Sequence, residues 1–118
     1  MVQESMLDCA ARLTADLPGV GRARHYDTMA LKVGGKAFAN PCREPGALAI
    51  YCPVADKEVL IAAAPDIYFD TDHFRNLPAI LVRMDVINDA TLKARLRAAW
   101  AAWAPKKLIS ASGILRTP

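Results

Sequence analysis

Long hydrophobic runs are missing from this chain. No stretch of its 118 residues approaches the roughly 20 consecutive apolar positions that a membrane-spanning helix needs. Met1-Val2-Gln3-Glu4 also lacks the basic lead and apolar block of a secretory leader. A cytoplasmic protein without membrane contact is therefore expected. Paired cysteines are missing too. Cys9, Cys42 and Cys52 are odd in number, are spaced unlike any zinc-ligand pair, and are accompanied by only two histidines, His25 and His73. They read as reduced packing residues, with neither a disulfide framework nor a metal site indicated. A phosphate-cradling glycine loop is absent, because Gly19-Val20-Gly21 runs into arginine-rich chain instead of opening an apolar helix. No G-x-S-x-G elbow or H-E-x-x-H helix occurs. The expectation is a protein that is not an enzyme and holds no cofactor.

What is present suits a single globular domain. Hydrophobic residues make up 53% of the chain, enough to fill one core at this length. The formal net charge of +3 attracts phosphate-bearing partners only if the positive groups cluster.

Periodicity then assigns elements. Val2, Met6, Cys9, Ala10, Leu13 and Leu17 recur at helical spacing against a polar side, and Leu17-Pro18-Gly19 stops that helix. From Met29 the period becomes two, Gly34-Gly35 offers a tight hairpin, and extended chain resumes through residues 36–40. The register this implies sets Val33 opposite Lys36, Lys32 opposite Ala37 and Leu31 opposite Phe38. A third strand covers residues 47–52. If its hairpin centres on Glu44-Pro45, Cys42 lies opposite Ala47 and Cys52 opposite Ala37, too far apart to bridge.

Asp56 suits the N-cap of a helix through Ala64, with Val59, Leu60 and Ala63 as its buried face. Strands follow at residues 67–70 and 79–87, joined by a polar connection over 71–78. A last helix, capped near Asn88-Asp89, carries Leu92, Leu96, Trp100 and Trp103 on one stripe. Its other side bears Ala94, Ala98, Ala101 and Ala102. Those alanines either favour helix or admit a second helix in a homodimer. The fold class expected is two-layer α+β, helix-β3-helix-β2-helix, with an antiparallel sheet and helices packed on one face. Residues 1–108 form the domain and 109–118 a partly flexible tail.

Two polar constellations stand out. Tyr68-Phe69-Asp70-Thr71-Asp72-His73-Phe74-Arg75-Asn76 is the densest, in a loop between strands, and Tyr68, Asp72, His73 and Arg75 make a candidate ligand site. A histidine beside a carboxylate suits acid–base work or anion binding; equally, the aromatics pack while His73 braces the loop. The second is basic. Arg22 and Arg24 precede the first strand in what reads either as a phosphate contact or as a solvated linker. Lys32 and Lys36 near the hairpin tip suit a duplex backbone, or guard an exposed edge. With Arg75, these residues form the candidate nucleic-acid set.

The run Leu17-Pro18-Gly19, the hairpin Ala30-Leu31-Lys32-Val33-Gly34-Gly35-Lys36-Ala37-Phe38-Ala39, and Tyr68 to Phe74 leading into Leu77-Pro78-Ala79-Ile80-Leu81-Val82-Arg83 resemble the MmcQ/YjbR family over residues 7–108. Many members carry tryptophan where this chain has Leu77. The resemblance implies a secretion-chaperone-like α+β fold and a DNA-binding protein, making weak contacts to the DNA backbone. The same fold hosts protein-interaction modules, which keeps a homodimer or another protein partner as an alternative.

Overall fold

The computed structural model describes residues 4–111. Helix α1 (Met6–Leu13) is opened by Ser5, whose hydroxyl accepts from the Asp8 amide at 3.0 Å. It ends four residues before the expected stop. The buried Thr14 hydroxyl donates back to the Ala10 carbonyl at 2.8 Å, an alternative to continued helix. Val2 lies outside the described residues. Strands β1 (Gly21–His25), β2 (Thr28–Val33), β3 (Lys36–Pro41) and β4 (Ala47–Tyr51) follow, then helix α2 (Val54–Ala63), strands β5 (Tyr68–Phe69) and β6 (Ala79–Arg83), and helices α3 (Asp89–Trp103) and α4 (Lys106–Ala111). All strand pairs are antiparallel, in the order β1-β2-β3-β4-β6-β5.

The α+β class with an antiparallel sheet is as expected, but the element count differs. Arg22-Ala23-Arg24-His25 is an edge strand, not a linker. It pairs with β2 through a two-residue turn at Tyr26-Asp27 that contains no glycine, so the usual hairpin signal is missing. After Pro105 the chain forms α4, through the domain boundary expected at residue 108, and Ile109 is buried in the core. The rest of the expected tail, 112–118, lies outside the described residues.

Register is close to expectation. Val33 faces Lys36 and Lys32 faces Ala37 across Gly34 and Gly35, both at positive φ (58° and 78°). Leu31, however, opposes Ala39 instead of Phe38, because a bulge lies between Leu31 and Lys32. Phe38 and Ala39 are consequently both buried in one core. The β3–β4 pairing sets Ala39 opposite Ile50 and Pro41 opposite Leu48 and ends there, one residue before Cys42, and the three cysteines are free thiols.

Helices α1 and α3 lie across β2, β3 and β4, while α2 packs at the β5–β6 end. Trp100, Phe38, Leu31, Leu48, Ile50 and Ile80 fill the core between. The Trp100 indole donates to the Pro18 carbonyl at 3.0 Å, tying α3 to the chain after α1. Among the expected α3 alanines, Ala94, Ala98 and Ala102 are exposed, whereas Ala101 packs partly against the core.

Helix α2 departs furthest from expectation. It begins two residues before Asp56, after Pro53, and neither Val59 nor Ala63 is buried. Leu60, Ile61 and Ala64 meet the core instead, and the one fully buried side chain of the helix is Lys57, 3% exposed. The last expected strand stops at Arg83, where the chain turns through 84–86. Leu81, on the strand face alternate to Ile80 and Val82, is completely buried as they are.

Candidate functional site

Successive strand residues alternate between the faces of a sheet. The pairings align Asn40, Ala49, Leu81 and Phe69 across β3, β4, β6 and β5, on the face away from α1 and α3. Ala49 and Leu81 are buried but lie outside the helix-side core cluster. The 71–78 loop leaves β5 and folds back until Thr71, His73 and Phe74 line a common cleft with Asn40 of that row.

Lys57 fixes the loop. Its ammonium nitrogen lies 2.9 Å from Asp70 Oδ2, 2.7 Å from the Phe74 carbonyl and 3.1 Å from the Leu77 carbonyl. Three donor protons thus meet three acceptors, so the buried ammonium leaves no hydrogen bond unmade. Within the loop, the Thr71 amide donates to Asp70 Oδ1 at 3.0 Å and the Phe74 amide to the Thr71 hydroxyl at 3.3 Å. Beside it, Arg83 stacks 4.2 Å over the Phe69 ring and donates to the Pro65 carbonyl at 3.2 Å.

The cleft has a volume of about 660 Å³ and is built by three segments distant in sequence. The β1–β2 turn contributes His25, Tyr26, Asp27 and Thr28. The end of β3 and the following turn add residues 40–44, including Cys42, Arg43 and Glu44. The loop closes the third side. Both histidines of the chain therefore face one cavity. Each belongs to an edge-to-face ring pair: His25 with Tyr26 at 4.7 Å between centroids, and His73 with Phe74 at 5.0 Å. Tyr26 has φ +57° and is 86% exposed, an uncommon backbone for an aromatic residue. The lining carries one guanidinium, Arg43, against two carboxylates, Asp27 and Glu44. Burial pushes the Cys42 thiol above its ordinary pKa, and its sulfur donates to the Ala47 carbonyl at 3.6 Å.

The expected ligand set is only partly assembled. His73 is exposed in the cleft, but Tyr68 is buried in the helix-side core. Asp72 pairs with Arg75 instead of orienting the histidine. Nor do the basic candidates form one surface. Arg22 pairs with Asp8 of α1 at 2.7 Å, and Lys36 lies 5.5 Å over the Trp103 ring. Arg24 is exposed on β1, Lys32 sits half-buried on the opposite face of the sheet from Arg24, and Arg75 is on the 71–78 loop.

Sequence reasoning missed Lys57, Tyr26, Asn40 and Arg43. For Lys57 a signal existed: with Leu60, Ile61 and Ala64 it occupies i, i+3, i+4 and i+7 of an apolar stripe. A smaller cavity of about 240 Å³ between α1 and β1 offers little chemistry, since Thr14 and Arg22 there are already bonded. Among the described residues, no group of three or more His, Cys, Asp or Glu could hold a metal, and no helix is long and apolar enough to cross a membrane.

No family model matches the chain. Over 55 residues, 47% of this chain, it is 44% identical to the uncharacterized protein Rv2570 of Mycobacterium tuberculosis and equally to the uncharacterized protein Mb2600 of Mycobacterium bovis. The match spans 43% of the length of these curated relatives. The crystal structure of Deinococcus radiodurans protein DR2400, a DUF419 domain, superposes with a TM-score of 0.68 at 17% identity, covering 98% of this chain and 96% of that one. DUF419 is the YjbR/MmcQ-like fold, so the fold expected from the resemblance is the fold found.

Proposed function

We propose that this chain is a non-enzymatic binding protein of the MmcQ/YjbR group, and that its ligand site is the cleft between the β1–β2 turn, the β3–β4 turn and the 71–78 loop. The observation that carries this reading is convergence: three segments bring both histidines, two further aromatic rings and a mixed set of polar groups to one cavity of about 660 Å³. That volume lies within the range of small-molecule sites. The loop forming its third wall is anchored by a buried, fully bonded lysine, so the wall stands before any ligand arrives. A binding role is favoured over catalysis because Asp72, next to His73 in the chain, is paired with Arg75, and the one thiol of the cleft, Cys42, donates to a backbone carbonyl.

The test is a small-molecule fragment panel followed by amide chemical shifts, with Cys42 alkylation as a second readout. Binders should perturb residues 25–28, 40–44 and 71–74 together and protect Cys42, and His73→Ala should weaken both effects. Perturbations scattered over the surface, or none from the whole panel, would refute the site.

A second reading, weak binding to the DNA backbone, draws on the net charge of +3 and on Arg24, which has no ion-pair partner among the described residues. It predicts binding of a generic duplex that weakens as salt rises and falls when Lys32 and Lys36 are both changed to glutamate. Binding indifferent to salt and to that double change would remove it. The separation of its five residues over both sheet faces and a loop makes it the less supported of the two.

A further inference from the structure

We infer that the cleft takes an uncharged planar nitrogen heterocycle of the nucleobase or nucleoside kind, held between the Tyr26 ring and the His73–Phe74 wall. This rests on the cleft being the ligand site and specifies what that site selects.

Three observations converge. The first is the placement of rings. The His25–Tyr26 and His73–Phe74 pairs come from segments almost 50 positions apart in the chain, yet they line the same cavity. Aromatic surface from two separate segments suits a flat ligand, because a stacked ring gains contact on both faces.

The second is the strain at Tyr26. A bulky residue at φ +57° costs free energy that glycine or asparagine would largely avoid. A buried side chain would offset this through packing, but the Tyr26 ring is almost wholly in solvent. Within the described fold the ring gains only its edge contact with His25. A ligand drawn into the cleft is what its exposed face would cover, which places the strain at the site where a function uses it.

The third is charge. Arg43 is opposed by Asp27 and Glu44, so the lining does not favour an additional anion, and a phosphate would meet two carboxylates for one guanidinium. An uncharged heterocycle avoids that repulsion. Its ring nitrogens and amino groups suit the remaining polar groups. The Asn40 amide nitrogen donates to the Pro41 carbonyl at 3.0 Å, leaving its amide oxygen to accept from a ligand amine. The Thr71 hydroxyl accepts from the Phe74 amide and keeps its proton to donate, while the Thr28 hydroxyl donates to the Met29 carbonyl at 3.5 Å and keeps lone pairs to accept.

The experiment titrates adenosine, and separately adenosine 5′-monophosphate, into the full chain and its Tyr26→Gly and Tyr26→Phe variants, following amide shifts and thermal melting. Adenosine should saturate shifts at residues 25–28, 40–44 and 71–74, and the monophosphate should bind more weakly. Tyr26→Gly should lose about tenfold in adenosine affinity, as expected for removing one stacking ring, while melting no lower than the parent chain. Tyr26→Phe should keep most of the affinity. Tighter binding of the monophosphate, or a Tyr26→Gly variant that binds adenosine like the parent, overturns the inference. If adenosine leaves the cleft unshifted while fragments of other chemistry shift it, the ligand class is wrong and the site survives. If nothing shifts it, both readings fall.

Discussion

Lys57→Met is the perturbation that most directly tests how the 71–78 loop is held. The substitution keeps an unbranched side chain of similar length in the pocket but deletes the ammonium. Three acceptors then lose their donor: Asp70 Oδ2, and the carbonyls of Phe74 and Leu77. Each carbonyl deprived of its bond costs on the order of 1 kcal/mol, and a largely buried carboxylate without its counter-charge about as much again, since the Asp70 side chain retains some contact with water. A loss of about 3 kcal/mol is expected, equivalent to a fall of about 12 °C in melting temperature for a chain of this length. Urea unfolding gives the first quantity, calorimetry the second, and hydrogen exchange should show the 71–77 amides opening well below the global unfolding energy. In Lys57→Met/Asp70→Asn the orphaned charge is gone, so the double variant should be more stable than additivity predicts, by about 1 kcal/mol. A loss below about 1 kcal/mol, or strict additivity, would show that the lysine does not clasp the loop as its distances imply.

Three smaller tests address other parts of the structure. Gly34→Ala should destabilise by about 2 kcal/mol and Gly35→Ala by about 1, because both need positive φ but only at Gly34 would the new methyl crowd Pro105 Cδ at 3.2 Å and the Trp103 carbonyl at 3.3 Å; equal losses by urea unfolding would remove the packing contribution. Ala98→Glu places a charge on the exposed side of α3, and if that side joins two copies the sedimenting mass should halve, whereas an unchanged mass counts against the homodimer. Burial pushes the thiols of Cys9, Cys42 and Cys52 above their ordinary pKa, so alkylation near neutral pH should be slower than for free cysteine and accelerate with pH. The unfolded thiols ionise first, so this contribution to stability is full below the ordinary thiol pKa and is lost as pH rises through the folded value. Labelling as fast as free cysteine at neutral pH would contradict it.

Elements with strong local signals were legible. The Gly34-Gly35 hairpin announces itself by two adjacent residues tolerant of positive φ, and Leu92, Leu96 and Trp100 by their helical stripe. Elements specified by partners were not. Strand β1 alternates arginine with small residues and turns without glycine, so only its pairing with β2 makes it a strand. The α2 face differs from the Val59, Leu60 and Ala63 expected because three acceptors from another segment hold Lys57 in the interior, and nothing local to α2 announces them. Among the site residues, His73 was visible from the polarity of its own loop. Its companions His25, Tyr26 and Asn40 come from positions 33 to 48 earlier in the chain, and no local pattern links them to it.

The 71–78 loop also connects stability to binding. One clasp holds the segment that carries Thr71, His73 and Phe74, so weakening it should reduce the loop-ordered population along with the global stability. A ligand that needs the ordered loop binds with an affinity scaled by that population. Lys57→Met should therefore weaken cleft binding although Lys57 does not line the cleft, and saturating ligand should restore protection of the 71–77 amides. At a free ligand concentration of about 100 times Kd, binding contributes about 2.7 kcal/mol, close to what the clasp supplies. A variant that loses the clasp yet binds with undiminished affinity would mean that the loop wall plays no part in recognition, and would confine the site to the two turns opposite it.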